Sequence, residues 1–446
     1  MKVHERGNRI EGIDFDEIPR ASIVTLGCPM NQVDSQAIIK DLIARGFEIV
    51  NEDSAHVIIV NTCGFIRDAC EESIDTILEL SELKKTGVLR ALVVAGCLAE
   101  RFGKELEREL IEADAVFGLK ERDKIGKWCA ELLGLTGSGS VENANVVSGP
   151  EYSAYLKIAE GCDNRCTYCT IPYIRGPYIS KDRDMIVKEA EELARIGKRE
   201  IVLIAQDTTC YGKGSQDQNL ELLLKDLSKV EGIEWIRLMY THPDNFSDRL
   251  IETIGDTPKV LPYIDMPIQH ISGSVLKRMG RRGNPVYIKN LIEKLRVRIK
   301  GLVLRTSLIV GFPGEEKRDF EKLCDFVAQF QFERLGAFIF SPESGTPAFK
   351  MDMSVSPETA SERLDRLMEI QAGVSDRFHS SLKGRIFDMI IDKLDTENGS
   401  AMGRIYMDAP EVDCCMHVRS GVRASDVFRR VRITGTGPYD LEGELV

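Results

Sequence analysis

Three cysteines in one short loop constrain this chain more than any other feature. Residues 161–172 read Gly-Cys-Asp-Asn-Arg-Cys-Thr-Tyr-Cys-Thr-Ile-Pro, so Cys162, Cys166 and Cys169 have the spacing CxxxCxxC. The apolar run at 155–159 is typical of a strand, and the glycine and proline that bound the motif favour a loop. A strand that ends in three closely spaced thiols predicts a metal site.

Two other interpretations of this spacing are a buried helix and a zinc site. The residues between the thiols, which include Asp, Asn, Arg and Thr, are poorly suited to a buried helix. Zinc with a distant fourth ligand is the stronger alternative, because cysteine loops with short gaps also bind zinc. An iron–sulfur cluster normally takes four thiolates, so three thiolates leave one iron free to bind another molecule. That free position favours an active site over a structural site.

The motif, with the aromatic Tyr168 before its last cysteine, resembles the signature of the radical S-adenosylmethionine (SAM) superfamily. The resemblance implies a 4Fe-4S cluster on Cys162, Cys166 and Cys169, with the amino and carboxylate groups of SAM on the unique iron. It further implies that one electron from the cluster cleaves SAM to methionine and a 5′-deoxyadenosyl radical. The cofactor supplies this chemistry, and the protein supplies orientation.

Size and composition predict a globular protein of two or three domains. The chain has 446 residues, of which 43% are hydrophobic and 29% charged. No apolar run approaches the roughly 18 residues that span a bilayer, and the first residues lack the apolar centre of a signal peptide. We therefore expect a cytoplasmic protein with no membrane partner. In that reducing compartment, twelve cysteines indicate metal binding or catalysis rather than disulfides.

The N-terminal third contains three strand-like runs, at 22–26, 57–61 and 91–95, and each is followed closely by a cysteine. Amphipathic stretches between the runs predict alternating strands and helices around a parallel sheet. The carboxyl ends of such strands lie along one edge, so Cys28, Cys63 and Cys97 are expected to converge there. Any one of them alone would more often be a small buried hydrophobic residue.

This segment resembles the N-terminal domain of the methylthiotransferases, a family within the radical SAM superfamily. The matching pieces are Leu-Gly-Cys-Pro at 26–29 with Asn31, Asn-Thr-Cys-Gly-Phe-Ile at 61–66, and Gly-Cys-Leu at 96–98. The resemblance implies a second 4Fe-4S cluster on Cys28, Cys63 and Cys97. Met30 stands where the family commonly has lysine, which puts a local contact in question rather than a ligand.

The central region predicts an α/β fold of six strand–helix units. Strand-like runs at 155–159, 200–205, 235–239, 263–266, 303–310 and 335–340 are separated by amphipathic stretches. The pattern favours a partial (β/α) barrel with its chemistry at the carboxyl ends of the strands, and the superfamily resemblance implies the same fold.

Several polar residues and glycines in these units are candidates for contact with the cofactor. The candidate cofactor-binding residues are Tyr168, Gln206, Gln269, Arg305, Gly311 and Gly314. The structural alternatives are loop capping for Gln206, a surface charge for Arg305, and a tight turn for the two glycines. His270 is more often a hydrogen-bonded structural residue than a catalytic one.

The remaining composition divides the chain into domains. We predict an N-terminal cluster-binding domain at 1–136, a Gly/Ser/Asn-rich linker at 137–152, a radical SAM barrel at 153–380 and a small β-barrel at 381–446. The last domain resembles the TRAM domain, a substrate-recognition module that often binds RNA.

The charge of the C-terminal barrel bears on its partner. Residues 383–446 hold 9 Lys and Arg against 11 Asp and Glu, and the whole chain has a net charge of −12. RNA-binding modules are usually basic, because phosphate neutralisation dominates their affinity. We interpret this balance, and the acidic run at 408–413, as a surface suited to a basic protein.

The methylthiotransferase resemblance implies insertion of a methylthio group at an unactivated C–H bond. One SAM would supply the methyl group, a second would supply the radical, and the N-terminal cluster would carry the sulfur. One branch of the family modifies an adenosine beside the tRNA anticodon. The other modifies the β-carbon of an aspartate in small-subunit ribosomal protein S twelve.

Two segments resemble the ribosomal branch: Ala-Gln-Asp-Thr-Thr at 205–209 and the acidic run at 408–413. A tRNA enzyme typically carries Gly-Gln-Asn-Val after the corresponding strand. The expected partners are therefore the ribosomal protein, free or on the ribosome, and an electron donor such as a flavodoxin or ferredoxin, with tRNA as the alternative substrate. An electron carrier is a further alternative, but it has no use for open irons or for a six-unit barrel.

Overall fold

A computed structural model describes residues 18–135, 150–215, 217–437 and 439–446. These residues form two compact units. The first contains residues 18–135 together with the segment Thr170–Gly176, and the second contains the other described residues. Most of the predicted linker, at 137–149, lies outside the described residues. Within the described ranges, no helix is long and apolar enough to cross a membrane.

The first unit is a five-stranded parallel sheet with helices on both faces. The strand order is β2-β1-β3-β4-β5. Its elements are β1 (Arg20–Thr25), α1 (Pro29–Ala44), β2 (Glu48–Ile49), β3 (Val57–Thr62), α2 (Arg67–Ser81), β4 (Ala91–Gly96), α3 (Cys97–Glu109), β5 (Ala115–Phe117) and α4 (Ile125–Leu132).

The central strands β3 and β4 are buried along their whole length, because the two sides of the sheet pack into two separate hydrophobic cores. Burial on both faces explains why their sequences are continuous apolar runs rather than alternating patterns. The predicted parallel sheet is confirmed.

The second unit is built on a six-stranded parallel sheet of order β13-β12-β11-β10-β9-β6. Following the chain, the elements are β6 (Ser153–Lys157), β7 (Ala159–Glu160), α5 (Ile171–Ile174, in the first unit), β8 (Ile179–Ser180), α6 (Arg183–Arg195), β9 (Glu200–Ile204), α7 (Leu220–Leu227), β10 (Trp235–Leu238), α8 (Asp248–Asp256), β11 (Val260–Asp265), α9 (Gly273–Arg278), α10 (Pro285–Arg298), β12 (Val303–Val310), α11 (Lys317–Phe330), β13 (Arg334–Ile339) and α12 (Pro357–Leu382). All six predicted strands are present, so the predicted six-unit architecture is confirmed.

A closed five-stranded barrel follows α12 in the same unit. Its strands are β14 (Ile386–Asp395), β15 (Ser400–Ile405), β16 (Met416–Val418), β17 (Phe428–Thr436) and β18 (Leu441–Leu445), joined in the order β14-β15-β16-β18-β17. Alternating residues such as Met389, Ile391, Val431 and Ile433 are buried inside it. The predicted small C-terminal β-barrel is confirmed.

Two carboxylates of the acidic run at 408–413, Asp408 and Asp413, face the inside of the protein, whereas Glu411 is exposed. Asp408 accepts hydrogen bonds from Arg334, at 2.6 Å from Nη2 and 2.9 Å from Nε. Asp413 accepts from the Tyr263 hydroxyl at 2.6 Å and from Arg305 Nε at 3.3 Å. These partners come from strands of the six-stranded sheet, so the run fastens the small barrel to that sheet.

A second buried ion network lies beside this contact. Glu200, the first residue of β9, contacts Arg237 at 2.8 Å and Arg404 of the small barrel at 2.7 Å, and all three side chains are at most 2% exposed. Burial opposes ionisation of Glu200, but the two guanidinium groups outweigh burial and lower its pKa to about 2. Arg404 also pairs with Asp392 at 2.7 Å.

These contacts correct the interpretation of the barrel's charge. Arg404, Asp392, Asp408 and Asp413 are internal, and setting them aside leaves 8 basic and 8 acidic residues in 383–446. The acidic surplus therefore neutralises arginines inside the protein, and the charge count does not indicate an acidic face for a basic partner.

Candidate functional site

The three N-terminal cysteines lie at the carboxyl ends of three neighbouring strands of the first sheet. Cys28 caps the N-terminus of α1, Cys63 directly follows β3, and Cys97 is the first residue of α3. The three thiols lie close together: after burial, the charge of Cys28 helps to raise the pKa of Cys63, and the charges of Cys28 and Cys63 help to raise the pKa of Cys97. Two of them lie at helix N-termini, where the helix dipole stabilises negative charge.

Glycines bring these thiol segments together. Gly27 has φ +88°, and a Cβ placed there would lie 2.8 Å from Cys63 Cβ and 3.0 Å from Cys63 Sγ. A Cβ at Gly64 would lie 2.7 Å from the backbone of Leu98, next to Cys97. The glycines in the Leu-Gly-Cys and Cys-Gly pieces of the sequence therefore allow the cysteine segments to pack against one another.

The protein around these thiols disfavours the free thiolate. Burial raises the pKa of Cys63, and it raises the pKa of Cys97 to about 12, with Arg175 opposing the shift in both cases. A thiol that ligates a metal is deprotonated. The positive charge of a bound metal would therefore stabilise the thiolates that burial disfavours. Nothing in the sequence singles out Arg175 for this position.

In the second unit, the CxxxCxxC loop is held by its central residue. Thr167 donates from its backbone N to the Met279 carbonyl at 3.0 Å and from its hydroxyl to the Arg278 carbonyl at 2.7 Å, and its own carbonyl accepts from Ala348 at 2.9 Å. Cys162 is buried, and Cys166 and Cys169 are partly exposed. The loop presents its thiols from a fixed backbone.

Tyr168 anchors the same loop from the other side. Its ring packs edge-on against Phe312 at 6.4 Å, next to an apolar cluster that includes Met279 and Ala348. The surrounding protein raises the pKa of the phenol. The structure gives Tyr168 a packing role beside the thiols, and its predicted contact with the cofactor stays a prediction.

Asp207 connects the cysteine loop to the segments that follow β9 and β10. Its Oδ2 accepts from Asn164 at 2.9 Å, from Asn245 at 3.0 Å and from the Cys210 thiol at 3.2 Å, and Asp207 itself is 1% exposed. Asn164 lies between Cys162 and Cys166, so this buried carboxylate fixes the position of the motif.

Buried polar atoms near this loop have no hydrogen-bond partner among the described residues. They include Gln206 Oε1, beside Asp207, and the hydroxyl of Tyr178, whose pKa is raised by burial and then by the charges of Asp207, Cys210 and Cys162. His270 Nε2 and Glu315 Oε1 also lack a hydrogen bond, but they lie 3.8 Å apart and Glu315 Oε1 pairs with Arg363 at 3.5 Å. Leaving Gln206 Oε1 and the Tyr178 hydroxyl unpaired in a dry protein is costly, so these two atoms indicate places where a polar ligand or water belongs.

Three comparisons with known proteins agree with this geometry. The radical SAM superfamily profile matches residues 156–327, the profile described as uncharacterized protein family UPF0004 matches residues 20–118, and the TRAM domain profile matches residues 384–446. The chain is 41% identical to the ribosomal protein uS12 methylthiotransferase RimO of Acetivibrio thermocellus, with 96% of this chain and 98% of that protein covered. It is 43% identical to the protein of that name from Geotalea uraniireducens, over the same shares. This chain belongs to the RimO family of radical SAM methylthiotransferases.

A solved structure supports the fold of this RimO family member. The radical SAM methyltransferase TsrM from Kitasatospora setae, with tryptophan and a SAM analogue bound, has a TM-score of 0.56 and 13% identity, covering 80% of this chain and 89% of that one. At this identity the likeness concerns the fold alone.

The residues of this RimO family member fit the groups that radical SAM enzymes bind. The first unit brings Cys28, Cys63 and Cys97 to neighbouring strand ends, and the second carries Cys162, Cys166 and Cys169 on one loop. Unpartnered polar atoms lie near that loop. Among the described residues, no group of three or more His, Cys, Asp or Glu side chains is arranged to hold a single metal ion. A cluster binds each thiolate through a different iron, so its ligands need not converge on one point.

The other residues predicted to contact the cofactor, Gln269, Gly311 and Gly314, have different surroundings in the structure. Gln269 has φ +72° and exchanges backbone hydrogen bonds with β12, which places it at the carboxyl edge of the sheet. The glycines are accounted for by packing, since a Cβ at Gly311 would lie 2.8 Å from Ala360 and a Cβ at Gly314 would lie 2.7 Å from Arg278.

Arg305 is the candidate that the structure does not bring to the cysteine loop. It is the third residue of β12, near the amino end of that strand, and it pairs with Asp265 at 2.9 Å and with Asp413 at 3.3 Å. Its guanidinium therefore already contacts two carboxylates of the protein.

Proposed function

We propose that this protein inserts a methylthio group at the β-carbon of an aspartate in ribosomal protein uS12. The observation that carries the proposal is the convergence of Cys28, Cys63 and Cys97 in a chain that also has a CxxxCxxC loop on a parallel sheet. A radical enzyme with a single cluster has no need for a second set of three thiols. Relatives that match almost the whole chain carry the name of this activity.

The first cluster would be held by Cys162, Cys166 and Cys169. One SAM molecule bound there would supply the radical that removes the substrate hydrogen. A second SAM molecule would supply the methyl group. Asp207 holds the loop through Asn164, and the unpartnered Gln206 Oε1 and Tyr178 hydroxyl are suited to contact polar groups of SAM. Tyr168 and Phe312 pack edge-on against each other beside the loop.

The second cluster would be held by Cys28, Cys63 and Cys97, and this site would carry the sulfur. The chain offers three thiolates there, so one iron stays open to a sulfur atom. Helix N-termini at Cys28 and Cys97 favour negative charge at this position.

The partners are uS12, free or on the ribosome, and a low-potential electron donor such as a flavodoxin or ferredoxin. Recognition of uS12 does not rest on an acidic barrel, because the internal carboxylates account for the acidic surplus.

A competition experiment tests the substrate. Reconstituted protein, SAM, sulfide and a reductant are offered uS12 and hypomodified tRNA together under anaerobic conditions, and mass spectrometry is applied to both. We expect a methylthio group on one aspartate of uS12 and none on tRNA. Methylthiolated tRNA would overturn the assignment of the substrate while leaving the radical chemistry intact.

A pair of cysteine variants controls this experiment. Cys166→Ala should make neither 5′-deoxyadenosine nor modified uS12, whereas Cys415→Ala, which removes a thiol outside both sets, should behave as the parent protein. Formation of 5′-deoxyadenosine by Cys166→Ala would contradict the cluster assignment.

A further inference from the structure

Arg175 is an arginine buried beside the N-terminal thiols. It belongs to the segment Thr170–Gly176, which is part of the first unit, and its side chain is 1% exposed. Its Nη2 donates to Asn31 Oδ1 at 2.7 Å and approaches Cys97 Sγ at 3.4 Å, within hydrogen-bond distance for sulfur. Its Nη1 donates to Asp34 Oδ2 at 3.1 Å. One guanidinium thus contacts a carboxylate, an amide and a candidate ligand.

The partners of Arg175 are themselves fixed. Asn31 donates from its side-chain nitrogen to the Leu26 carbonyl at 2.8 Å and to the Thr62 carbonyl at 3.0 Å, so its Oδ1 is turned toward the arginine. Asp34 lies one helical turn further along α1, is 1% exposed and also pairs with Arg122. The planar guanidinium is therefore held in one orientation before any ligand binds.

The charges at this position favour an anion. Arg122 and Arg175 both contact the Asp34 carboxylate, and the Arg175 guanidinium also lies within hydrogen-bond distance of the Cys97 sulfur. Charge-assisted hydrogen bonds to sulfur stabilise the more negative state of an iron–sulfur cluster and thereby raise its reduction potential. Residues that form hydrogen bonds to a metal ligand also contribute to metal affinity.

We propose that Arg175 is the positioning residue of the Cys28, Cys63 and Cys97 site. It orients the Cys97 sulfur and stabilises the negative charge that a bound cluster and its extra sulfur place there. This inference rests on the proposed function, because it requires that these thiols hold a cluster.

The test uses the full chain with Cys162, Cys166 and Cys169 changed to alanine, so that only the N-terminal site can hold iron. Arg175→Gln and Arg175→Lys are made in this background and reconstituted. Iron retained against a chelator and the midpoint potential of the cluster are then measured. Arg122→Gln is the matched control, since Arg122 contacts Asp34 and makes no hydrogen bond to a cysteine sulfur within the described part of the chain.

We expect Arg175→Gln to bind iron about 10- to 100-fold more weakly, as loss of a supporting group typically does. Its midpoint potential should also be more negative than that of the parent. Lysine keeps the charge but cannot contact Asn31, Asp34 and Cys97 together, so Arg175→Lys should lose iron faster while its potential shifts less. Arg122→Gln should keep the parent potential.

The outcomes separate this inference from the proposed function. If Cys97→Ala in the same background keeps all its iron, the cluster assignment itself fails. If Cys97→Ala loses iron while Arg175→Lys keeps the iron retention and the potential of the parent, only the role of Arg175 is overturned. Arg175→Lys decides the question even if Arg175→Gln does not fold.

Discussion

The N-terminal thiols depend on a glycine that the sequence places directly before the first of them. Gly27 combines a left-handed backbone with a close approach to Cys63. Gly46 has almost the same backbone, with φ +89°, but nothing within 4 Å of an added Cβ. The two positions therefore separate the cost of backbone strain from the cost of a contact with a ligand.

We predict that Gly27→Ala empties the N-terminal site while Gly46→Ala does not. Each change should destabilise the fold by about 1 kcal/mol through its positive φ. Only Gly27→Ala also displaces Cys63. In the background without Cys162, Cys166 and Cys169, the iron content of the Gly27→Ala variant should therefore fall to a small fraction of the parent value. Equal iron contents in the two variants would show that Gly27 is not needed for the site.

Residue roles could be predicted where a motif or a strand end marks them. The six cysteines are marked in this way, as is Gln206 after β9. Arg175 carries no such mark, because its importance comes from the fold of a segment remote in sequence from Cys97. Arg305 shows the opposite limit: the sequence predicted a contact with the cofactor or a surface charge, but the structure shows that its guanidinium pairs with Asp413 of the C-terminal barrel.

At the scale of elements, strands buried on both faces were predictable because most of their length is a continuous apolar run. The strands β3, β4 and β9 are of this kind. The short edge strands β2 and β5, of two and three residues, have no such pattern. The burial of Glu200, the first residue of β9, could not be predicted from the sequence, because it depends on ion pairs with Arg237 and Arg404.

Glu200 gives the second unit a defined dependence on pH. Its folded pKa, about 2, lies below its ordinary value of 4.5. The stabilisation is therefore complete above about pH 4.5 and is lost as the pH falls toward 2. Glu200→Gln leaves the buried Arg237 without a carboxylate, while Arg404 keeps Asp392, and the change should cost on the order of 3–5 kcal/mol at pH 7.

We predict that the stability gap between parent and Glu200→Gln is constant down to about pH 5 and narrows between pH 4.5 and 2. Urea unfolding of cluster-free protein measures it, with Trp235 fluorescence in a Trp128→Phe background reporting the second unit. Asp248→Asn, which removes an exposed carboxylate beside Lys294, is the control and should change little. A gap that stays constant to pH 2 would contradict the account of Glu200.

At the scale of the whole molecule, the C-terminal barrel is part of the second unit's structure as well as a candidate recognition module. Its carboxylates neutralise Arg305 and Arg334 of the large sheet, and its Arg404 meets Glu200. A count of charges along the sequence cannot distinguish such internal pairs from a surface. For this reason the fold of the barrel was predictable from its sequence, and the meaning of its charge was not.

The central claim, that one chain holds two clusters with different tasks, is tested most directly by removing each set of cysteines. Cys28, Cys63 and Cys97 are changed to alanine in one variant, and Cys162, Cys166 and Cys169 in the other. Iron, 5′-deoxyadenosine and methylthiolated uS12 are measured in both after reconstitution. We predict that each variant keeps half the iron of the parent and that neither modifies uS12, while only the first still makes 5′-deoxyadenosine. Full iron content or methylthiolation of uS12 in the variant without Cys28, Cys63 and Cys97 would contradict the claim.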